Sequence, residues 1–101
     1  MKKILIFGAS EGGRKVTKML RKDNVEILAY VDNDRKKVGQ KIEGKEVIPP
    51  ERINEFNFDY ILLASMYFNE IFDQLINMGI HESKIIKIYG LNTSASKSKI
   101  K

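Results

Sequence analysis

Residues 3–14 read Lys-Ile-Leu-Ile-Phe-Gly-Ala-Ser-Glu-Gly-Gly-Arg (KILIFGASEGGR), and they decide the fold. The apolar run from Lys3 to Phe7 has no polar alternation, which suits a strand buried on both faces, as in a parallel sheet. It stops at Gly8. Gly12 and Gly13 then open a segment in which Val16, Met19 and Leu20 fall at i, i+3 and i+4, with Arg14, Lys15, Lys18, Arg21 and Lys22 between them. That pattern predicts an amphipathic helix over residues 12–22, its cations gathered toward the C-terminal end where the helix dipole favours them. Asp23-Asn24 supplies a turn, and Val25 to Val31 (VEILAYV) a second strand ending in Asp32-Asn33-Asp34.

The rest of the chain extends this strand–helix–strand unit. Residues 35–45 are polar, carry Gly39 and Gly44, show no sustained period and read as a loop. Residues 46–48 form a short edge strand, stopped by Pro49-Pro50. Pro50 suits the start of a short helix over 51–56, where its missing N–H costs nothing. Residues 59–64 (DYILLA) are a strong strand. Phe68, Ile71, Phe72, Leu75 and Ile76 follow with helical spacing, and Gly79 is placed as the C-terminal cap. A last strand spans 84–89. Strands alternating with helices imply right-handed crossovers and helices on both faces of the sheet. The expectation is an α/β, Rossmann-like, three-layer α/β/α domain over residues 1–91. Its mostly parallel sheet should have about five strands in the order 3-2-1-4-5. The Ser- and Lys-rich tail, 92–101, should be disordered.

Composition narrows the function. At 101 residues, with 43% hydrophobic and 31% charged side chains, the chain suits one soluble domain. The net charge is +5. Lys97, Lys99 and Lys101 supply three of the 18 basic residues, and the remaining 15 against 13 acids leave residues 1–96 near neutral. No basic stripe marks the folded part, so no nucleic-acid partner is expected. There is no cysteine, which removes disulfides, thiolate metal sites and cysteine nucleophiles. The apolar run after Met1-Lys2-Lys3 is too short for a signal peptide or a membrane span. The expectation is a cytoplasmic protein with no membrane partner.

Against the dinucleotide fingerprint, Gly8 and Gly13 take the first and third glycine positions. The first permits the tight turn and the third permits close packing of helix on sheet. Ser10 stands at the second, where its hydroxyl can donate to a phosphate. A strand running straight into a helix N-terminus leaves N–H groups and a partial positive charge that stabilise a phosphate. Asp32 lies at the end of the second strand, where an acid accepts from ribose hydroxyls and repels a 2′-phosphate, favouring NAD over NADP. Arg35, Lys36 and Lys37 lie close enough to leave that preference open. The alternative is purely structural: the glycines shape a turn, and Asp32 caps a helical turn. Ser65, after the strand at 59–64, should face Gly8 across the sheet's C-terminal edge, unless it serves only as a helix N-cap.

Residues 8–12 also satisfy G-x-S-x-G, the nucleophile elbow of α/β-hydrolases, with Asp32 or Asp59 and the single His81 in the required order. Context opposes that reading: only one strand precedes the elbow, and no HGGG-like oxyanion segment is present. No lysine lies four residues after Tyr30, Tyr60, Tyr67 or Tyr89, as short-chain nicotinamide enzymes require, and there is no P-loop. There is no histidine cluster for a metal. No catalytic or metal-binding residue is assigned.

The succession strand, GAxExG, helix, strand, VDND (31–34), and then GQKIEGKEVI (39–48) resembles a known group. It is the Rossmann-like, CoA-binding-type N-terminal domain of nucleotide-sugar dehydratases and epimerases of surface-polysaccharide synthesis, also found beside related acyl-, methyl- and glycosyltransferases. The resemblance covers about residues 1–90. It implies NAD(H), a nucleoside-diphosphate sugar or CoA as ligand. By position, Gly8, Ser10, Glu11, Gly12 and Gly13 would line the diphosphate, and Asp32 the ribose, with Asn33 and Ser65 beside them. No catalytic domain follows in the sequence, so the resemblance implies a binding module, alone or beside a partner enzyme domain, or as a homo-oligomer. The alternatives are a ligand-free interaction or regulatory domain, or the non-catalytic part of an oxidoreductase or sugar-modifying transferase.

Overall fold

In the computed structural model, residues 1–89 are described. Ten elements follow in order. They are β1 (Lys2–Phe7), α1 (Glu11–Met19), β2 (Val25–Val31), β3 (Lys41–Ile42), β4 (Lys45–Ile48), a 3₁₀ helix (Pro50–Glu55), β5 (Tyr60–Leu63), α2 (Phe68–Asn77), a second 3₁₀ turn (Glu82–Lys84) and β6 (Ile85–Lys87). They form one sheet in the order β3-β4-β2-β1-β5-β6. The five parallel strands follow the expected 3-2-1-4-5 order. The difference is β3, an antiparallel strand added at the edge beyond β4.

That extra strand comes from the segment read as loop. Lys41 pairs with Glu46 and Ile42 with Lys45, joined by a two-residue turn at Glu43-Gly44. Both turn residues have positive φ, 49° and 83°, as a type I′ hairpin turn requires. Asn-Gly or Asp-Gly announces such a turn. Glu-Gly does not, and two paired residues are too few to show period-2 alternation.

The sheet is buried on both sides, which is why β1 reads as an unbroken apolar run. Leu5 and Phe7 join Val31, Leu63, Ile71 and Leu75 on the face covered by α2 and the Pro50–Glu55 helix. Ile4 and Ile6 join Val16, Tyr30, Val47 and Leu62 on the face covered by α1. Beside Leu28 the β1–β2 register slips by one residue. This bulge lets Leu28 and Ala29 both lean toward the α2 face, which a strict alternation forbids.

α1 departs from the expected helix in extent and in face. It ends at Met19, where Leu20 turns to an extended conformation. Its buried residues are Gly13, Val16 and Thr17, whereas Met19 is 70% exposed. The true stripe is 13, 16, 17 and 20, with a glycine and a threonine serving where larger apolar residues were expected. Thr17 is accepted in the core because its hydroxyl donates to the Gly13 carbonyl at 2.7 Å and lies 2.7 Å from the buried Tyr30 hydroxyl.

The short helix expected over 51–56 is a 3₁₀ helix at Pro50–Glu55, and β6 is shorter than the expected 84–89 because Glu82–Lys84 is a 3₁₀ turn. Ser65 is not the N-cap of α2. That place falls to Tyr67, while Ser65 Oγ accepts from the Tyr67 N–H at 3.1 Å. The tail at 92–101 lies outside the described residues. Among the described residues no helix is long and apolar enough to cross a membrane.

Candidate functional site

All five parallel strands point their C-terminal ends to one edge of the sheet, and the strand order reverses beside β1. Ligands of open α/β sheets bind in the crevice there. Gly8 carries the chain from β1 into α1. Its φ is +127°, and a Cβ on it would sit 2.5 Å from the Ala64 carbonyl oxygen at the end of β5. Gly13 lies one turn further on, where a Cβ would sit 1.9 Å from the Gly8 carbonyl oxygen. The two glycines therefore press the first turn of α1 onto the sheet. This steric role needs no ligand.

The N-terminus of α1 is open. Ser10 is the N-cap residue, yet its side chain makes no capping hydrogen bond. A capping serine ordinarily satisfies an N–H of the first turn, and Ser10 leaves that role unfilled. The dipole adds a partial positive charge at the same spot.

Asp32 faces this turn from the end of β2. Its Oδ2 accepts from the Ala9 N–H at 2.8 Å and its Oδ1 accepts from the Asp34 N–H at 2.8 Å. The carboxylate thus ties the glycine loop to the β2 loop. An ionised carboxylate offers about four acceptor positions, so two bonds leave room for ribose hydroxyls. The purely structural role is present: Asp32 does cap the turn after it. It does not exhaust the side chain.

The cleft has two lobes. The larger, about 460 Å³, is lined by Gly8, Ser10, Glu11, Gly12, Asp32 and Ser65 among others. The smaller, about 260 Å³, shares Gly8, Asp32 and Ser65 and adds Asn33. Seven of the eight candidate residues thus line one crevice; Gly13 does not, being buried beneath the loop. Lys15 and Lys37, which no sequence motif marks, also line the larger lobe. Lys15 is four residues after Glu11, on the same helix face, with their charges 3.7 Å apart. Of the three cations after Asp34, only Lys37 lines the cleft. Arg35 is engaged by Glu51 at 2.7 and 3.2 Å. That bond raises the Arg35 pKa and holds Glu51 below the usual carboxylate range. Tyr67, 62% exposed, borders both lobes. Gln74, also unassigned, lines the smaller.

The hydrolase elbow fails on topology. Ser10 follows the C-terminal end of β1, whereas Asp59 precedes β5 and His81 precedes β6, at the opposite edge of a parallel sheet. Asp59 Oδ2 accepts from the Lys3 N–H at 2.8 Å, and His81 Nδ1 pairs with Ser83 Oγ at 2.8 Å. Asp32 shares the edge with Ser10, but without histidine there is no triad. Among the described residues no three His, Cys, Asp or Glu side chains are grouped to hold a metal.

Comparison with known proteins agrees with the fold. The family model described as "C2185-like, N-terminal" matches residues 1–86. No curated protein matches the chain. Among solved structures, UDP-D-quinovosamine 4-dehydrogenase from Vibrio fischeri is 25% identical with a TM-score of 0.73, over 96% of this chain and 85% of that one. RSP, a Rex-family repressor, in complex with β-NADH is 18% identical with a TM-score of 0.69, over 97% of this chain and 58% of that one. RSP with β-NAD⁺ and operator DNA is 17% identical with the same TM-score, over 97% and 55%. The chain spans just over half of RSP, and this likeness shows the fold alone. It also corrects the exclusion of nucleic acid. A repressor containing this fold is solved on operator DNA, so a near-neutral charge on such a domain excludes nothing. A basic stripe need not lie in the matched part of a protein.

Proposed function

The chain belongs to the C2185-like, N-terminal family, and from the cleft above Gly8 we propose that it is a nucleotide-binding domain for NAD(H) or a nucleoside-diphosphate sugar. The diphosphate rests on the open first turn of α1, with Lys15 and Lys37 at its flanks. The ribose hydroxyls donate to Asp32. The observation that carries the reading is the pairing of an uncapped helix N-terminus at Ser10 with a carboxylate that keeps acceptor capacity across a 460 Å³ crevice. The 25% identity to a UDP-sugar dehydrogenase supports a place in nucleotide-sugar or surface-polysaccharide metabolism. RSP, solved with β-NADH and β-NAD⁺, supports NAD(H) on the same fold. No catalytic group is assigned among the described residues, and the domain serves a partner enzyme domain or a second copy.

Calorimetric titration with NAD⁺, NADH, UDP-sugars and CoA tests this. One of the first three binds in the micromolar range, and Asp32→Asn weakens it about tenfold through lost charge-assisted bonds. A millimolar or weaker Kd for all of them, or an unchanged Kd in Asp32→Asn, refutes the reading.

A further inference from the structure

The smaller lobe of the cleft is spanned by a feature that the nucleotide reading leaves unused. Asn33 Nδ2 donates to Gln74 Oε1 at 3.0 Å, and Gln74 Nε2 donates back to Asn33 Oδ1 at 3.0 Å. The two carboxamides form a closed, doubly bonded ring. It joins the loop after β2 to the middle of α2 across 41 residues of sequence. Both side chains line the 260 Å³ lobe, which has Phe7 and Ile71 as apolar surface and Tyr67 at its margin. Asn33 is exposed and Gln74 half-buried, so water can satisfy either amide when the ring opens.

A carboxamide presents a donor and an acceptor side by side. The edge of a nucleobase presents the same pair in complementary order, which is how Asn and Gln read bases bidentately. Asn33 directly follows Asp32, the proposed ribose ligand, so a base attached to that ribose falls beside Asn33. Gln74 then occupies the position the base needs. We propose that Asn33 reads the nucleobase of the bound nucleotide and that Gln74 is its internal competitor, a latch the base displaces on entry. This rests on the nucleotide reading above and adds the location of the base and the opposite roles of two chemically similar residues.

The roles give opposite signs. Asn33→Ala removes the base contact and weakens nucleotide binding about tenfold. Gln74→Ala removes the competing pair and tightens binding roughly threefold. Gln74 is only half-buried and alanine is the best helix former, so the second variant keeps its fold. The experiment titrates NAD⁺, UDP and inorganic pyrophosphate into wild type and both variants. Pyrophosphate carries no base, and its affinity stays constant throughout. In wild type the side-chain amide NMR signals of Asn33 and Gln74 shift with the nucleotide that binds and stay put with pyrophosphate. Equal weakening by both variants means that the pair only braces α2, and it overturns the latch, as does any other pattern of signs or a pair of unmoved amide signals. If NAD⁺ or UDP binds wild type and both variants alike, the latch falls and the nucleotide reading stands. If neither nucleotide binds wild type, both fall.

Discussion

Gly13→Ala is expected to cost far more than an ordinary helix substitution. Alanine is the better helix former by about 1 kcal/mol, so propensity alone predicts a gain. The added methyl, however, would lie 1.9 Å from the Gly8 carbonyl oxygen, where ordinary contact begins at 3.4 Å. The first turn of α1 must therefore lift by about 1.5 Å, the difference of those two distances. Thr17 moves with it, and its 2.7 Å contact with the fully buried Tyr30 hydroxyl is lost. An unpaired buried hydroxyl costs about 1–3 kcal/mol, and forced repacking around Val16 adds about 1–3. After the propensity gain, the net loss is roughly 1–5 kcal/mol, with a midpoint of about 3. For a domain of this size that lowers Tm by about 10–25 °C. Urea unfolding followed by circular dichroism measures it, as a lower midpoint with an unchanged slope. Gly39→Ala is the control: its φ is +93° but nothing lies within 4 Å, so only conformational strain of about 1 kcal/mol applies. A Gly13→Ala loss no larger than the Gly39→Ala loss would refute the steric argument.

Other perturbations separate the remaining contributions. Tyr30→Phe deletes one buried hydrogen bond while Thr17 keeps its bond to Gly13, so denaturant midpoints should report a loss of only about 0.5–1.5 kcal/mol. Glu43→Asn puts a residue that tolerates positive φ into the β3–β4 turn and should stabilise by roughly 0.5 kcal/mol. A loss in thermal melts would show that the Lys22–Glu43 ion pair outweighs turn chemistry. Glu51 is held below its ordinary pKa first by its hydrogen bond to Arg35. Its stabilising contribution is therefore present above the ordinary glutamate range and fades as pH falls through the lowered value. A ¹³C NMR titration should show the Glu51 midpoint rising in Arg35→Ala; an unmoved midpoint would remove Arg35 as the cause.

The architecture was legible because the three central parallel strands are largely buried on both faces and so write themselves as apolar runs: Lys3 to Phe7, Val25 to Val31, Asp59 to Ala64. Gly8 and Gly13 marked the turn, and α2 announced itself through the spacing from Phe68 to Ile76. What local pattern cannot carry is contact between distant segments. The β3 strand exists because Lys41 and Ile42 find β4, and a two-residue strand leaves no period to read. Met19 matched the helical stripe as well as Thr17 did. Only the position of Tyr30 on the sheet face beneath α1 decided that the threonine goes inside. Asp32 was identifiable by its distance from the glycines. That it holds the Ala9 N–H, that Arg35 turns to Glu51 while Lys37 lines the cleft, and that Asn33 meets Gln74 depend on β2, the loops and α2 converging at one edge. Sequence determined the strands, the glycine turn and the acid beside it, since these follow from burial and backbone sterics within a few residues. Tertiary structure decided which polar side chains face the cleft, because pairing between groups 23 or 41 residues apart exists only once the sheet has brought them within hydrogen-bonding distance.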